Sequence, residues 1–254
     1  MTDLMTYNQA KFNKAEGYGY FNAGHHFAPA KLSGKNVCGN SSKECRRLCL
    51  NESGQGEAFM VREDGRQLVQ EARIWRTNLF FSDKVSYVDR FRHEISLLVK
   101  RAKRMNLPLC IRPNATSDLS WETLKGSDGL TIFEAFPQVQ FYDYTKHHKR
   151  ALAFINGDMP ENYHLTFSRD ERGASEAFAK VFLAMGGTVA LCLRLKKKAP
   201  VPKSWHGFPC VDGDIHDLRF QDAPGSVVVL RPKGSKALKA LDSGFVIRPE
   251  NWVD

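Results

Sequence analysis

Residues 107–119 read L-P-L-C-I-R-P-N-A-T-S-D-L, an apolar run long enough for one buried strand followed by a polar turn. The pattern then repeats. Apolar runs at 139–144, 163–167, 188–195, 208–211 and 227–231 are each followed by charged or hydrogen-bonding residues. Between them, helical spacing occupies 121–124, 130–136, 149–155 and 174–185, the last stopped by Gly186 and Gly187. Continuous short apolar runs are the mark of strands buried on both faces, and their alternation with helices predicts parallel strands joined by crossovers. The fold class expected is α/β, a partial or complete (β/α) barrel with its core in residues 107–236.

In barrels of this kind the site lies where strands end and loops begin. The first strand delivers Arg112, Asn114, Ser117 and Asp118 there, the second Thr145 and Lys146, and the third Ser168 and Arg169. Arg194 closes the fourth strand, Asp212, Asp214, Asp217 and Arg219 follow the fifth, and Lys233 follows the sixth. The cations suit a carboxylate or phosphate. Asn114, Thr145 and Ser168 suit hydroxyls or a base edge, and the aspartates suit a ribose or proton carriage. No glycine-rich phosphate loop, nucleophile elbow or H-E-x-x-H occurs.

Upstream, residues 18–23 read as a short strand, 58–66 as a hairpin turning at Asp64 and Gly65, and 67–81 as a helix. A longer helix, capped by Ser82 or Asp83, runs to about Met105 with Val85, Val88, Phe91, Ile95, Leu98 and Val99 at helical spacing. Residues 37–51, V-C-G-N-S-S-K-E-C-R-R-L-C-L-N, hold three of the six cysteines. Ser41 or Ser42 caps a short helix on which Cys45 and Cys49 share a face, and Cys38 folds back from the preceding turn. Three convergent thiolates form a soft-metal site for zinc, copper(I) or an iron–sulfur cluster. Lys43, Arg46 and Arg47 would hold the thiols deprotonated. A zinc site needs a fourth ligand, for which His25 and His26 are the candidates. A disulfide with a spare thiol, or plain core cysteines, are the competing readings. Cys110, Cys192 and Cys210 sit in apolar runs and read as small buried hydrophobes.

The chain has 254 residues, 42% of them hydrophobic, and a formal net charge of +9. This is enough for one large domain, taken as residues 1–254, with a sizeable core. No apolar run approaches the ~20 residues of a membrane span, and the N-terminus lacks a basic-then-apolar leader pattern. A reducing cytoplasmic setting follows, which favours metal over disulfide. The positive balance suits an anionic partner such as a nucleotide or nucleic acid. Oligomeric state is not legible.

The segments C-G-N-S-S-K-E-C-R-R-L-C-L, A-R-I-W-R-T-N-L-F, I-R-P-N-A-T-S-D-L-S-W-E, V-D-G-D-I-H-D-L-R-F-Q-D and R-P-K-G resemble the phage gene product 88 domain family. The resemblance covers about 37–236 and implies a phage origin, with the host cytoplasm as the place of action. The order of three-cysteine loop, R-P-N-A-T-S-D-L, Y-D-Y-T-K-H-H-K-R and H-L-T-F-S is also similar to radical S-adenosylmethionine barrels. That likeness implies a 4Fe-4S cluster on Cys38, Cys45 and Cys49. It places S-adenosylmethionine or substrate against Asn114, Ser117, Asp118, Thr145, Lys146 and Ser168. The cysteine spacing here is C-x6-C-x3-C, where that superfamily has C-x3-C-x2-C.

Three functions are therefore expected in order. The first is a phage iron–sulfur protein of radical type acting on a nucleotide or nucleic acid. The second is a non-catalytic effector with a structural metal, such as zinc, that binds a host protein or nucleic acid. The third is a metal-dependent nuclease using Asp212, Asp214 and Asp217.

Overall fold

The computed structural model describes residues 3–49, 67–196, 198–233 and 243–253. Ten strands form one mostly parallel sheet. They are β1 (Met5–Thr6), β2 (Phe21–His25), β3 (Leu109–Arg112), β4 (Gln140–Thr145), β5 (Tyr163–Ser168), β6 (Val189–Leu193), β7 (Ser204–Trp205), β8 (Phe208–Asp212), β9 (Val227–Leu230) and β10 (Val246–Ile247). The order is β1-β2-β3-β4-β5-β6-β9-β8-β7, with β10 paired to the end of β6. Among the described pairs, only β1–β2 and β7–β8 are antiparallel.

From β2 to β6 each new strand is added on the same side of the last. Right-handed crossovers that always step one way place every connecting helix on one face. The helices are α1 (Ala10–Asn13), α2 (Lys43–Arg47), α3 (Leu68–Ser82), α4 (Lys84–Met105), α5 (Ile132–Ala135), α6 (His148–Ile155) and α7 (Gly173–Ala184). Phe21, Ala23, Leu109, Ile111 and Phe141 meet α4 and α5 in one core, and Val189, Leu191, Val227 and Val229 meet α7 in another. The step from β8 to β9 runs the other way, since β9 lies between β6 and β8. A right-handed connection there must cross the opposite face. It does: Leu218 and Phe220 pack against Cys110 and Tyr142 on the inner side. Gly213 permits this departure, because a Cβ there would stand 2.5 Å from Val228 Cγ1 and 2.7 Å from Leu230 Cδ2.

The sheet is strongly curved. The stretch leading into β2 and the one leaving β8 meet across the inner face, Lys14 Nζ donating to the Asp214 carbonyl at 2.8 Å and Tyr18 packing on His216 at 4.6 Å. Laid flat, β2 and β8 would lie roughly 29 Å apart, at ~4.8 Å per strand. The sheet nevertheless does not close into a complete barrel: β1 and β7 are its ends among the described residues. It also extends beyond 107–236, taking strands from 5–25 and 246–247.

Helix α4 forms as its periodicity predicts, with Asp83 as the cap, accepting from Ser86 N at 3.1 Å. Tyr87, Val88, Phe91, Ile95, Leu98 and Ala102 face inward, whereas Val85 is 47% exposed. The helix stops at Asn106, in the left-handed region at φ 54°, where Leu107 N returns to the Ala102 carbonyl. The expected hairpin at 58–66 lies outside the described residues. Among the described residues no helix is long and apolar enough to cross a membrane.

His25 and His26 are not ligands in waiting. His25 is buried among Phe27, Tyr87, Phe91 and Trp121. Its Nδ1 donates to the Pro113 carbonyl at 3.3 Å, so Nε2 accepts from Tyr87 Oη at 2.6 Å. His26 meets Thr6 Oγ1 at 3.2 Å. Burial pushes His25 down to about 3 and His164 to about 4, and holds His26 well below its usual range. Such a histidine charges first in the unfolded chain, so its contribution is lost as pH falls from about 6.5 toward its folded value. Asp143, pushed up to about 7 by burial, works in the opposite sense. The urea midpoint is expected to drop between pH 7 and 5, and in His25→Gln the drop should be shallower, by at most ~1.4 kcal/mol per pH unit. An unchanged slope would exclude His25 as a source.

Candidate functional site

Beyond the carboxyl ends of β3, β4, β5, β6 and β9 lies a cavity of about 240 Å³. Its wall is built by loops that hold one another. After β3, Asn114 Nδ2 donates to Asp143 Oδ2 at 3.0 Å and to the Leu119 carbonyl, while its Oδ1 accepts from Ser117 Oγ and Leu119 N. After β4, Asp118 accepts from Thr145 Oγ1 and Lys146 N, both at 2.9 Å, and pairs with Arg150 at 2.8 Å. Lys146 Nζ donates to the Ser168 carbonyl and Oγ at 2.9 Å, beneath the Phe245 ring. Thus Asn114, Ser117, Asp118, Thr145, Lys146 and Ser168 all line the cavity. Much of their hydrogen-bonding capacity already serves the wall.

The cysteine loop closes one side. Cys38, Cys45 and Cys49 all line the same cavity. Cys38 is fixed by the β3 loop, where Asp118 N donates to the Val37 carbonyl at 2.9 Å and Cys38 Sγ lies 3.8 Å from the Thr116 carbonyl. Helix α2 is capped by Ser42, whose Oγ accepts from Cys45 N at 3.0 Å and donates to Glu171 Oε2 at 2.7 Å. Glu171 Oε1 accepts from Glu44 N, so a carboxylate from the β5 loop sits on the positive end of the short helix. Arg172, held by Asp170, donates to the Asn40 carbonyl at 3.0 Å. Leu48 packs with Val246, Phe245 and Cys192.

Cys192 is a correction to the sequence reading. It lies on the cavity side of β6 with Ala190 and is a lining thiol rather than a core filler, while Cys110 is fully buried as expected. Burial pushes Cys38 and Cys192 up to about 12, and raises Cys45. The cations expected to deprotonate the thiols do not do so. Arg46 bonds the Ser41 carbonyl, Arg47 pairs with Glu44, and Lys43 is exposed. Among the described residues, Lys146 and Arg172 are cations that act on Cys45. Among the described residues, no three His, Cys, Asp or Glu side chains are gathered closely enough to hold a metal ion.

Of the cationic candidates, Arg112, Arg169 and Lys233 line the cavity, and Lys11, Arg231 and Phe245 join them without having been expected. Arg112 donates to Asp217 at 3.0 Å and lies over the Tyr144 ring at 4.6 Å. Lys11 meets the same carboxylate at 2.8 Å. Arg169 is spent on Glu176 and the Gly244 carbonyl. Asp212 and Asp214 serve Arg231, and Asp214 also pairs with Lys233 at 3.0 Å. Arg194 is exposed and stands outside the cavity wall; Asp212, Asp214, Asp217 and Arg219 are also absent from that wall, Asp217 and Arg219 being buried. Arg219 is buried, donating to the His216 carbonyl and paired with Asp222 at 3.3 Å.

Fold and site together define an α/β protein with an open, mostly parallel sheet and a cavity at its strand ends lined by thiols and cations. The chain belongs to the Gene product 88 family: the family model matches residues 3–249. No curated protein matches the chain, and no solved structure does.

The Glu171–Ser42 clamp is testable. Glu171→Ala and Ser42→Ala should each destabilise the fold by about 1 kcal/mol and speed maleimide labelling of Cys45, with Cys110 still protected. The double variant should cost less than the sum, because both remove one shared hydrogen bond. Strict additivity in urea unfolding would contradict the clamp.

Proposed function

We propose that this protein is a phage iron–sulfur protein whose cluster, carried by Cys38, Cys45 and Cys49, faces a ligand cavity for an anionic, nucleotide-like molecule. One observation carries the reading. The three loop thiols and the cations Lys11, Lys146 and Lys233 line a single cavity at the carboxyl ends of parallel strands. That is where ligands bind in open parallel sheets.

The donor type suits a thiophilic metal, since all three side chains are thiols; the sulfurs, which are not gathered closely enough to share one ion, would have to draw together on loading. Burial keeps Cys38 and Cys45 protonated until a metal replaces the proton, so loading is a proton-releasing step. A bound cluster would supply one-electron reducing power. The chain's own part is to orient and exclude. Glu171 and Ser42 orient the Cys45 helix, the β3 loop orients Cys38, and Leu48, Val246 and Phe245 shield the thiols from water. Lys146, held only by neutral oxygens, offers its charge to an anionic group. The run of parallel strands from β2 to β6, added in one direction on a curved sheet, supports reading the fold as a partial (β/α) barrel of radical S-adenosylmethionine-like type. The nuclease reading is not carried forward, because Asp212, Asp214 and Asp217 are engaged by Arg231, Lys233, Lys11 and Arg112.

Anaerobic purification with iron and sulfide should yield a brown protein absorbing near ~400 nm, from iron–thiolate charge transfer. Cys38→Ala, Cys45→Ala and Cys49→Ala should each lose most of the iron, and Cys110→Ala should keep it. Reductive cleavage of S-adenosylmethionine by the loaded protein would establish the radical type. A colourless protein with one bound zinc would sink the redox reading and favour a structural metal in a binding protein.

A further inference from the structure

The N-terminal segment contributes a side chain that none of the cysteine reasoning uses. Lys11 lies on α1, and its side chain, 35% exposed, lines the cavity. Its ammonium is held on Asp217, which arrives from the β8–β9 connection. The same carboxylate serves Arg112 from β3 and accepts from Tyr144 Oη of β4 at 3.2 Å. One buried carboxylate thus answers two cations. Arg112 Nε has no hydrogen-bond acceptor, and the other nearby carboxylate, Asp143, stands 4.0 Å from it. The oxygens of Asp143 are taken by Asn114 and Tyr163. Lys233, from beyond β9, adds its field to the same point. The result is three cations set against Asp217 and the Asp214 that pairs with Lys233, with Arg112 largely buried and Lys11 partly open to the cavity.

A cationic excess built around a largely buried guanidinium favours an anion that completes it. We infer that this end of the cavity is a phosphate-binding subsite, in which the Lys11 ammonium contacts the phosphate of a small phosphorylated ligand and Arg112 supplies a fixed charge behind it. A lysine ammonium is a point charge on a flexible stem and accepts the varied directions of phosphate oxygens, while the neighbouring guanidinium is locked by its carboxylate. A phosphate monoester carries about −1.5 to −2 charges near neutral pH, more than a carboxylate, and so matches a site with more than one cation. The dimensions agree. About 240 Å³ admits one small ligand or a single strand end, not a duplex. Burial, with Arg112 and Lys233 nearby and Asp217 opposing, brings Lys11 down to about 8. An added anion raises it again. Phosphate binding near pH 8 therefore takes up protons.

The inference deepens the ligand half of the proposed function and does not depend on the cluster. The test uses the full-length protein and inorganic phosphate as the probe, followed by ³¹P line broadening and by calorimetry at pH 8 in two buffers of different ionisation enthalpy. Saturable binding with net proton uptake is expected. Lys11→Gln should weaken it at least tenfold and abolish the uptake, and Lys11→Arg should retain most of the affinity. Unfolding midpoints within a few degrees of the parent would show that both variants are folded. Adenosine 5′-monophosphate binding more tightly than a 5′-phosphorylated trinucleotide identifies a free nucleotide as the source, and the reverse order a strand end. Equal binding of acetate, or unchanged phosphate affinity in Lys11→Gln, overturns the inference. Iron content on the same samples separates the two readings: iron kept with phosphate binding absent removes only the subsite, and the converse removes only the cluster.

Discussion

One buried carboxylate, Asp217, ties together three parts of the chain that are distant in sequence. Its side chain is fully buried. It lies on the connection between β8 and β9, and it draws Lys11 from the N-terminal segment and Arg112 and Tyr144 from the central strands to one point. Burial alone would raise its pKa, but Lys11 and Arg112 overcome that and hold it well below the carboxylate range. A buried ion set of this kind adds little net stability relative to an apolar one, yet breaking it leaves charges stranded. Its effect here is register. It holds Lys11 and Arg112, two side chains of the cavity wall, on one carboxylate.

Much of the fold was legible because its main elements are long or strongly patterned. Helix α4 announced itself by the spacing of Val88, Phe91, Ile95 and Leu98, and β6 and β9 by unbroken apolar runs. What was hidden has plain causes. Strands β7 and β10 are two residues each, too short to carry any periodicity. The reversal at β8–β9 leaves no local mark. It follows from strand order, which is set by pairings distant in sequence. Whether the sheet closes was equally invisible, since closure is a property of its two edges and not of any strand.

At the site the same division holds. The cysteine loop and the residues at the ends of β3, β4 and β5 were found because each motif is contiguous. Cys192 was within reach: in V-A-L-C-L the period of two puts it beside Ala190, opposite Val189, Leu191 and Leu193, which face α7. Lys11 was not, because its meaning depends on Asp217 near the other end of the chain. The aspartates after β8 were overvalued, since a polar loop residue and a residue spent on a neighbouring arginine look alike in sequence.

The thiols are mounted on two different supports. Cys38 rides on the turn after β3, and the helix bearing Cys45 is gripped by the turn after β5, with β4 standing between them. Their separation is therefore a gauge of sheet curvature. Tighten the arc and the sulfurs converge; relax it and they part. Whatever bends those strands from the cationic side would be felt, mechanically, as a change in grip at the sulfur side.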